Sequence, residues 1–321
     1  MATLKLGTRG SQLALFQADT TASLLKTHAG IDCEITVIKT SGDRLAEAVL
    51  SEIGGKRLFV KEIEDSLLAG DIDLAVHSSK DLPALLPTGL AIGAVLPRED
   101  PRDAVVLPAG RAAAGVDGVK ALLGPAPRIG TSSVRRIAQL LPLFPGARFV
   151  PIRGNLDTRL RKLDSGDYDA LVLAAAGLRR LQHAHRISTA LPAEACVPAP
   201  GQGVIALEVR DDDTRTREMV VMINDSTTGV ALEAERAVVT RLGGGCQMPI
   251  GAYARVEGET ITIAAVVIAL DGSREVRAAA TGSVREPEAV GIQAADALLA
   301  RGADTILAAA QRVSSATSEQ P

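Results

Sequence analysis

The chain has no tryptophan, two tyrosines and four phenylalanines among its 321 residues. So few aromatics leave little on which bases could stack, and a formal net charge of −3 supplies no overall basic field, so a nucleic-acid partner is not expected. Cysteine is scarce as well: Cys33, Cys196 and Cys246 are odd in number and far apart, which fits free thiols in a reducing compartment rather than a disulfide framework. The four histidines are scattered, the pair in "HAH" at His183 to His185 falls on different faces of a helix, and neither CxxC nor HExxH occurs, so no metal is expected. "GGKR" lacks P-loop spacing, and "GQG" is too short for a dinucleotide fingerprint. No stretch has the apolar length of a membrane span, and "MATLKLGTRGSQ" lacks the apolar core of a signal peptide. The expectation is a cytoplasmic protein with no membrane partner.

What the chain does have is 46% hydrophobic and 23% charged residues, enough for real cores in two or three domains. Two patterns recur in order. "KLGTRGSQLAL" from Lys5 and "RIGTSSVRRIAQL" from Arg128 each run from a short strand through Gly-Thr and Ser into an apolar-periodic helix. "GDIDLAVHSS" from Gly70 and "GDYDALVLAA" from Gly166 each give a Gly-Asp turn and a short buried strand, as parallel α/β sheets require. Punctuating stretches, "PREDPRD" and "VPAPGQG", separate the halves, and "VIALEVR" returns as a strand to the first. From about Asp225 the pattern changes to a helix, three antiparallel strands and a final helix over "AVGIQAADALLARG", with "SSATSEQP" as a frayed tail. The expected fold is two α/β domains around a cleft, residues 1–98 with 204–222 and residues 103–198, plus an α+β domain over 226–321.

The chemistry-bearing residues gather at strand ends, where open α/β sheets bind ligands. In "VHSSKDLP", Lys80 and Asp81 follow a buried strand, and Asp81 is a candidate acid–base or charge-stabilising group. The same stretch also reads as Asp81 capping the next segment or pairing with Lys80. Arg9, Lys80, Arg135, Arg136, Arg153 and Arg159 fall at strand ends or helix starts, so in a two-domain reading they converge on one cleft suited to a ligand with several carboxylates or phosphates. Cys246, in "RLGGGCQMPIG", follows three glycines in a bare loop, which suits a nucleophile or an attachment point more than a buried apolar residue. No histidine adjoins it, so a thiol hydrolase lacks its base.

"GTRGSQLAL", "GGKRLFVKEIE", "AVHSSKDLP", "PREDPRDA", "GTSSVRR", "RGNLDTRL", "LAAAGLRRL", "PAPGQG" and "GGGCQMPIG", in this order, closely resemble the porphobilinogen deaminase (hydroxymethylbilane synthase) family from about Leu4 to the last helix. The resemblance implies that the first two domains fold like type II periplasmic binding proteins and that Cys246 carries a thioether-linked dipyrromethane. It implies a transferase of tetrapyrrole and heme biosynthesis. Four porphobilinogen molecules are condensed head to tail with release of ammonia, and the linear tetrapyrrole hydroxymethylbilane is released by hydrolysis.

By resemblance Asp81 is the catalytic carboxylate. Lys80, Asp81, Thr131, Ser132, Ser133, Arg135, Arg136, Arg153 and Gly154 bind the cofactor. Arg9, Ser11, Lys56, Phe59, Arg98, Arg153, Arg159 and Arg180 bind substrate, with Asp43 a further hydrogen-bonding group. Residues 42–59 match a segment that covers the site. Arg57 and Gly243 depart from the usual pattern, which bears on loop behaviour rather than on the anchor or the acid. A monomer is expected, and transient hand-over to the next pathway enzyme stays open. The rival is a non-catalytic anionic-solute-binding protein, which would leave Asp81 and Cys246 without work.

Overall fold

The computed structural model describes residues 3–44, 60–244 and 248–318. Lys56, Phe59, Cys246 and Arg57 lie outside the described residues, and of Asp43 only the backbone is described, in the helical turn Ser41–Arg44. Three sheets occur among the described residues. The first is built from β1 (Thr3–Thr8), β2 (Asp32–Val37), β3 (Leu74–Ser78) and β4 (Leu90–Val95). The second takes β5 (Asp103–Val106), β6 (Arg128–Gly130), β7 (Arg148–Val150), β8 (Ala170–Ala174) and β9 (Thr189–Ala190). Strand β10 (Ile205–Arg210) then joins the first sheet between β3 and β4.

The two sheets are built alike. Their orders, β2-β1-β3-β10-β4 and β7-β6-β8-β5-β9, match position by position, and in each the fourth strand is the antiparallel one. That strand is each time the first laid down after the chain has changed sheets. The chain therefore crosses twice, once between β4 and β5 and once between β9 and β10.

The recurrent Gly-Asp turns have a shared physical job. Gly70 and Gly166 take φ of 77° and 87°, a region open to glycine, which lets the chain turn sharply into the central strand. Three residues on, Asp73 accepts a hydrogen bond from the Lys5 amide and Asp169 one from the Arg128 amide, each at 2.7 Å. Each carboxylate thus fixes the register of the central strand against the strand that opens its half.

Apolar residues on both faces of β3 and β8 bury these strands almost completely. The third sheet, β11 (Ile250–Glu257), β12 (Thr260–Ile268) and β13 (Glu275–Ser283), is antiparallel. Its core, with Val238, Ile250, Ile263, Val276 and Leu298, lies against the helices Ser226–Arg241 and Pro287–Leu299. The C-terminus differs from expectation in part: a further helix, Ala303–Ser318, follows "ALLARG" and takes in the first five residues of "SSATSEQP", the stretch expected to fray. Ala303, Ile306, Leu307 and Ala310 recur at helical spacing and are buried, so an apolar stripe docks the start of this helix and the polar stretch continues it. No described helix is long and apolar enough to cross a membrane.

Candidate active site

Strand β3 delivers its polar end to the edge of the first sheet. Ser78 receives a hydrogen bond from Gln17 Nε2 at 2.9 Å, and Ser79, Lys80 and Asp81 form one 3-10 turn. The turn is pinned by the Ser79 amide donating to Val204 O at 3.0 Å and by the Leu82 amide closing on Ser79 O. Gly201, from the second crossing, packs directly on it: a Cβ there would lie 2.6 Å from Ser79 Oγ. Asp81 itself is exposed, whereas Lys80 is half-buried.

The second sheet supplies cations to the same place. After β6, Thr131 Oγ1 accepts from the Ser133 amide, and Ser133 caps the helix Val134–Leu140 by accepting from the Arg136 amide. Ser132 Oγ donates to Ile152 O at 2.9 Å and accepts from the Ile152 amide at 3.0 Å, tying this loop to the one after β7. Gly154, at φ 106°, starts the turn into the helix Leu156–Asp164, and Arg159 Nε donates to its carbonyl at 2.9 Å.

The charges of these groups influence one another. Burial pushes the Lys80 amine down to about 8, with Arg136 adding to the effect and Asp81 and Asp103 opposing it. Burial likewise pushes Arg159 down to about 10, helped by Arg136 and Arg153 and opposed by Asp81. Arg153 is lowered by burial alone. Lys80, Asp81, Arg136, Arg153 and Arg159 therefore form one interacting cluster contributed by both sheets, and its cations lack full compensation. Such a set suits a ligand with several carboxylates. Among the described residues no group of His, Cys, Asp and Glu is arranged to hold a metal ion.

Other expected residues have different surroundings. Ser11 caps the helix Gln12–Ala29, and Arg9 is half-buried two residues before it. Arg98, a candidate substrate contact, is also tied to the protein: Nη1 and Nη2 bind Glu235 at 2.6 and 3.2 Å, and Nε binds Gln202 O at 3.0 Å. The reason is Glu235, a fully buried carboxylate that needs a counter-charge. Arg180 donates to Gly203 O at 2.7 Å, and burial lowers it to about 10. Arg135 is buried, with Nη1 bound to Asp103 and to Val197 O, both at 2.7 Å.

Asp103 and Glu235 were not among the expected site residues. Each left a trace in the sequence: Asp103 opens a fully apolar strand, and Glu235 sits on the helical stripe of Ala231, Ala234 and Val238, positions where a lone carboxylate must find a partner. Of the three cysteines, the two described are unsuited to attachment chemistry. Burial pushes the Cys196 thiol up to about 12, with Asp103 adding to it, and burial and Asp32 raise Cys33.

Comparison with known proteins gives the family. Residues 4–218 match the family model "Porphobilinogen deaminase, dipyromethane cofactor binding domain", and residues 230–300 match "Porphobilinogen deaminase, C-terminal domain". A porphobilinogen deaminase of Syntrophotalea carbinolica is 48% identical over 95% of this chain and 95% of its own. Those of Geobacter metallireducens (95% and 94% covered) and Moorella thermoacetica (96% and 96%) are each 46% identical. Solved structures overlap loosely: the VFT2 domain of Bordetella pertussis BvgS at TM-score 0.40 and 18% identity, covering 74% of this chain and 92% of that one. An ancestral cationic amino acid solute-binding protein, AncCDT-1, gives 0.41 and 13%, covering 68% and 86%. With both family models matched along the chain and relatives nearly half identical over its length, the chain belongs to the porphobilinogen deaminase family.

Proposed function

We propose that Asp81 handles the charge and the proton as four porphobilinogen molecules are joined into hydroxymethylbilane, while Lys80, Arg136, Arg153 and Arg159 hold the carboxylates of the growing chain. The observation that carries this assignment is that the single exposed carboxylate of the cluster, Asp81, interacts with Lys80 of its own turn and with Arg159 of the other sheet. Each condensation forms a carbon–carbon bond, releases ammonia from the incoming ring and a proton from the ring attacked. A carboxylate within reach of pyrrole N–H groups stabilises the positive charge that passes through the rings, and accepts and returns the proton.

The donor set fits the family's dipyrromethane. Each pyrrole carries an acetate and a propionate, and the cluster's five cations, Arg135 included, face two carboxylates, Asp81 and Asp103. A ligand with several carboxylates supplies the missing negative charge. When bound, the group provides the free pyrrole carbon on which the chain is begun. Cys246 is its proposed anchor, and Thr131, Ser132, Ser133 and Gly154 shape the wall of the second sheet around it. Arg98 and Arg180 are further proposed substrate contacts, and each also binds a carbonyl of the second crossing.

The equivalence of the two sheets, with separate apolar cores, supports the division into residues 1–98 with 204–222, residues 103–198 and residues 226–321. A monomer in the cytoplasm, with porphobilinogen as small-molecule partner, accords with this reading. Asp81→Asn tests it: covalent cofactor is retained, and ammonia release falls by roughly 10²- to 10⁴-fold, the range for loss of a positioned acid–base group. Near-normal ammonia release by a cofactor-bearing Asp81→Asn protein removes Asp81 from the role.

A further inference from the structure

Asp103 stands at the start of β5, where the first crossing enters the second sheet. It is fully buried, and four donors converge on its two oxygens: Arg135 Nη1 at 2.7 Å, Arg136 Nε at 2.8 Å, Gln202 Nε2 at 2.9 Å and Cys196 Sγ at 3.3 Å. Two donors come from the helix Val134–Leu140 and two from the second crossing. Burial alone would raise the carboxyl, but Arg135 and Arg136 outweigh it and hold Asp103 well below the usual carboxylate range. It is an anion whenever the protein is folded near neutrality.

The cation cluster has a problem that this anion answers. Lys80, Arg136, Arg153 and Arg159 repel one another, as the lowering of Lys80 and Arg159 by their cationic neighbours records. A cluster meant for a polycarboxylate must stay assembled before the polycarboxylate arrives, and repulsion in a half-buried site works against that. Asp103 is the buried counter-charge beside it. Arg136 is held by Asp103 on one side and by Nη1 donating to Val172 O at 3.0 Å on the other.

We propose that Asp103 is a positioning residue that preassembles the cation cluster by fixing Arg136 and Arg135, and that Gln202 links this arrangement to the second crossing. The proposal rests on the reading of the cluster as the carboxylate-binding site. Gln202 gives it a mechanical side: Nε2 donates both to Pro101 O at 2.6 Å and to Asp103, so one amide spans both crossings. Reversing that amide would set its oxygen against a carbonyl and a carboxylate, so its orientation is fixed. Its Oε1 is buried with no partner among the described residues, an expense that a protein retains where geometry matters more than stability.

The test uses the full chain with Asp103→Asn, Gln202→Leu and Arg136→Met, read by intact mass for covalently attached cofactor, by KM and kcat, and by thermal midpoint. Asp103→Asn should reduce the attached fraction and raise KM for porphobilinogen by about tenfold, as loss of a charge-assisted contact does. It should also move the pH at which KM begins to rise to a lower value, because Lys80 loses a nearby anion. Gln202→Leu should raise KM by about threefold and leave that pH unchanged, since the anion remains.

A lower thermal midpoint with normal attachment, KM and pH profile in Asp103→Asn overturns the proposal and leaves Asp103 a structural residue. If Asp103→Asn does not fold, Gln202→Leu decides: unchanged attachment and KM overturn the link. Arg136→Met separates the two levels. If it leaves attachment and KM unchanged, the carboxylate-binding reading of this arginine fails, whereas an effect there with none in Asp103→Asn sinks only the positioning role.

Discussion

Asp81 and Asp103 are the two carboxylates of one cation cluster, and their surroundings are opposite. Asp81 is exposed on a turn at the end of β3, and no hydrogen bond to its side chain occurs among the described residues. Asp103 is buried at the start of β5 with four donors on it. A carboxylate whose lone pairs are all engaged cannot exchange protons with a substrate; one with open lone pairs beside cations can. The same side chain is thus a fixed charge in one place and a working group in the other, and the number of donors around it decides which.

The contrast predicts a descending series of effects. The largest after loss of Asp81 itself is expected at Arg159, which interacts with Asp81 and with two other cations of the cluster. Arg159→Met should raise KM for porphobilinogen by roughly 10- to 100-fold through loss of a charged contact, with kcat changed much less. A fall in kcat at unchanged KM would move Arg159 from holding carboxylates to the chemical step.

Next comes the mounting of the Asp81 turn. Gly201 has φ 72° and its absent Cβ leaves room for Ser79 Oγ, so Gly201→Ala strains the backbone and displaces the turn together. About a tenfold loss in kcat with the cofactor still attached is expected, because sub-ångström placement of the reacting groups matters. Normal kcat with only a lowered thermal midpoint would show that the turn tolerates displacement.

Lys80 gives a smaller effect whose sign is fixed by its lowered value of about 8. Carboxylate ligands favour the charged amine, so substrate affinity should be full below about pH 8 and fall as pH rises above it. Stability of the ligand-free chain moves the other way. Between about pH 8 and the ordinary lysine value near 10.5 the unfolded chain holds more protons on this residue, so its contribution to stability increases with pH. Lys80→Arg should abolish the fall in affinity across that window. Its persistence, followed as KM against pH, would assign the titration to another group.

The smallest effect is expected far from the cluster, at the pair Arg241 to Asp296, whose side chains are both about half exposed. Arg241→Ala should change unfolding free energy by less than about 1 kcal/mol and leave kcat and KM alone, since exposed ion pairs are well solvated when separate. Denaturant titration checks this.

How much of this was legible in the sequence follows from what kind of signal each part leaves. The two Gly-Asp turns and the paired Gly-Thr-Ser starts foretold two like sheets, because turns need glycine and buried strands need unbroken apolar runs. The proposed site rests on the same kind of signal, since Lys80, Asp81 and several arginines fall at strand ends, where α/β sheets bind ligands. Asp103, Gln202 and Glu235 were not read as a network, because their partners lie far off in sequence and are set by the two crossings. The pairing of Arg98 with the buried Glu235, 137 residues later, left no local signal either, since an arginine before a strand looks alike whatever its partner. The helix Ala303–Ser318 was hidden by its polar end, although its apolar spacing was present.

If this cation cluster holds a polycarboxylate pyrrole chain, the proposed anchor Cys246 carries that chain covalently. Intact mass of the denatured protein, with peptide mapping around Cys246, tests it most directly. The expected result is an added mass equal to two linked pyrrole units on that peptide, either as purified or after incubation with porphobilinogen or hydroxymethylbilane. A Cys246 that stays unmodified after both incubations would contradict it.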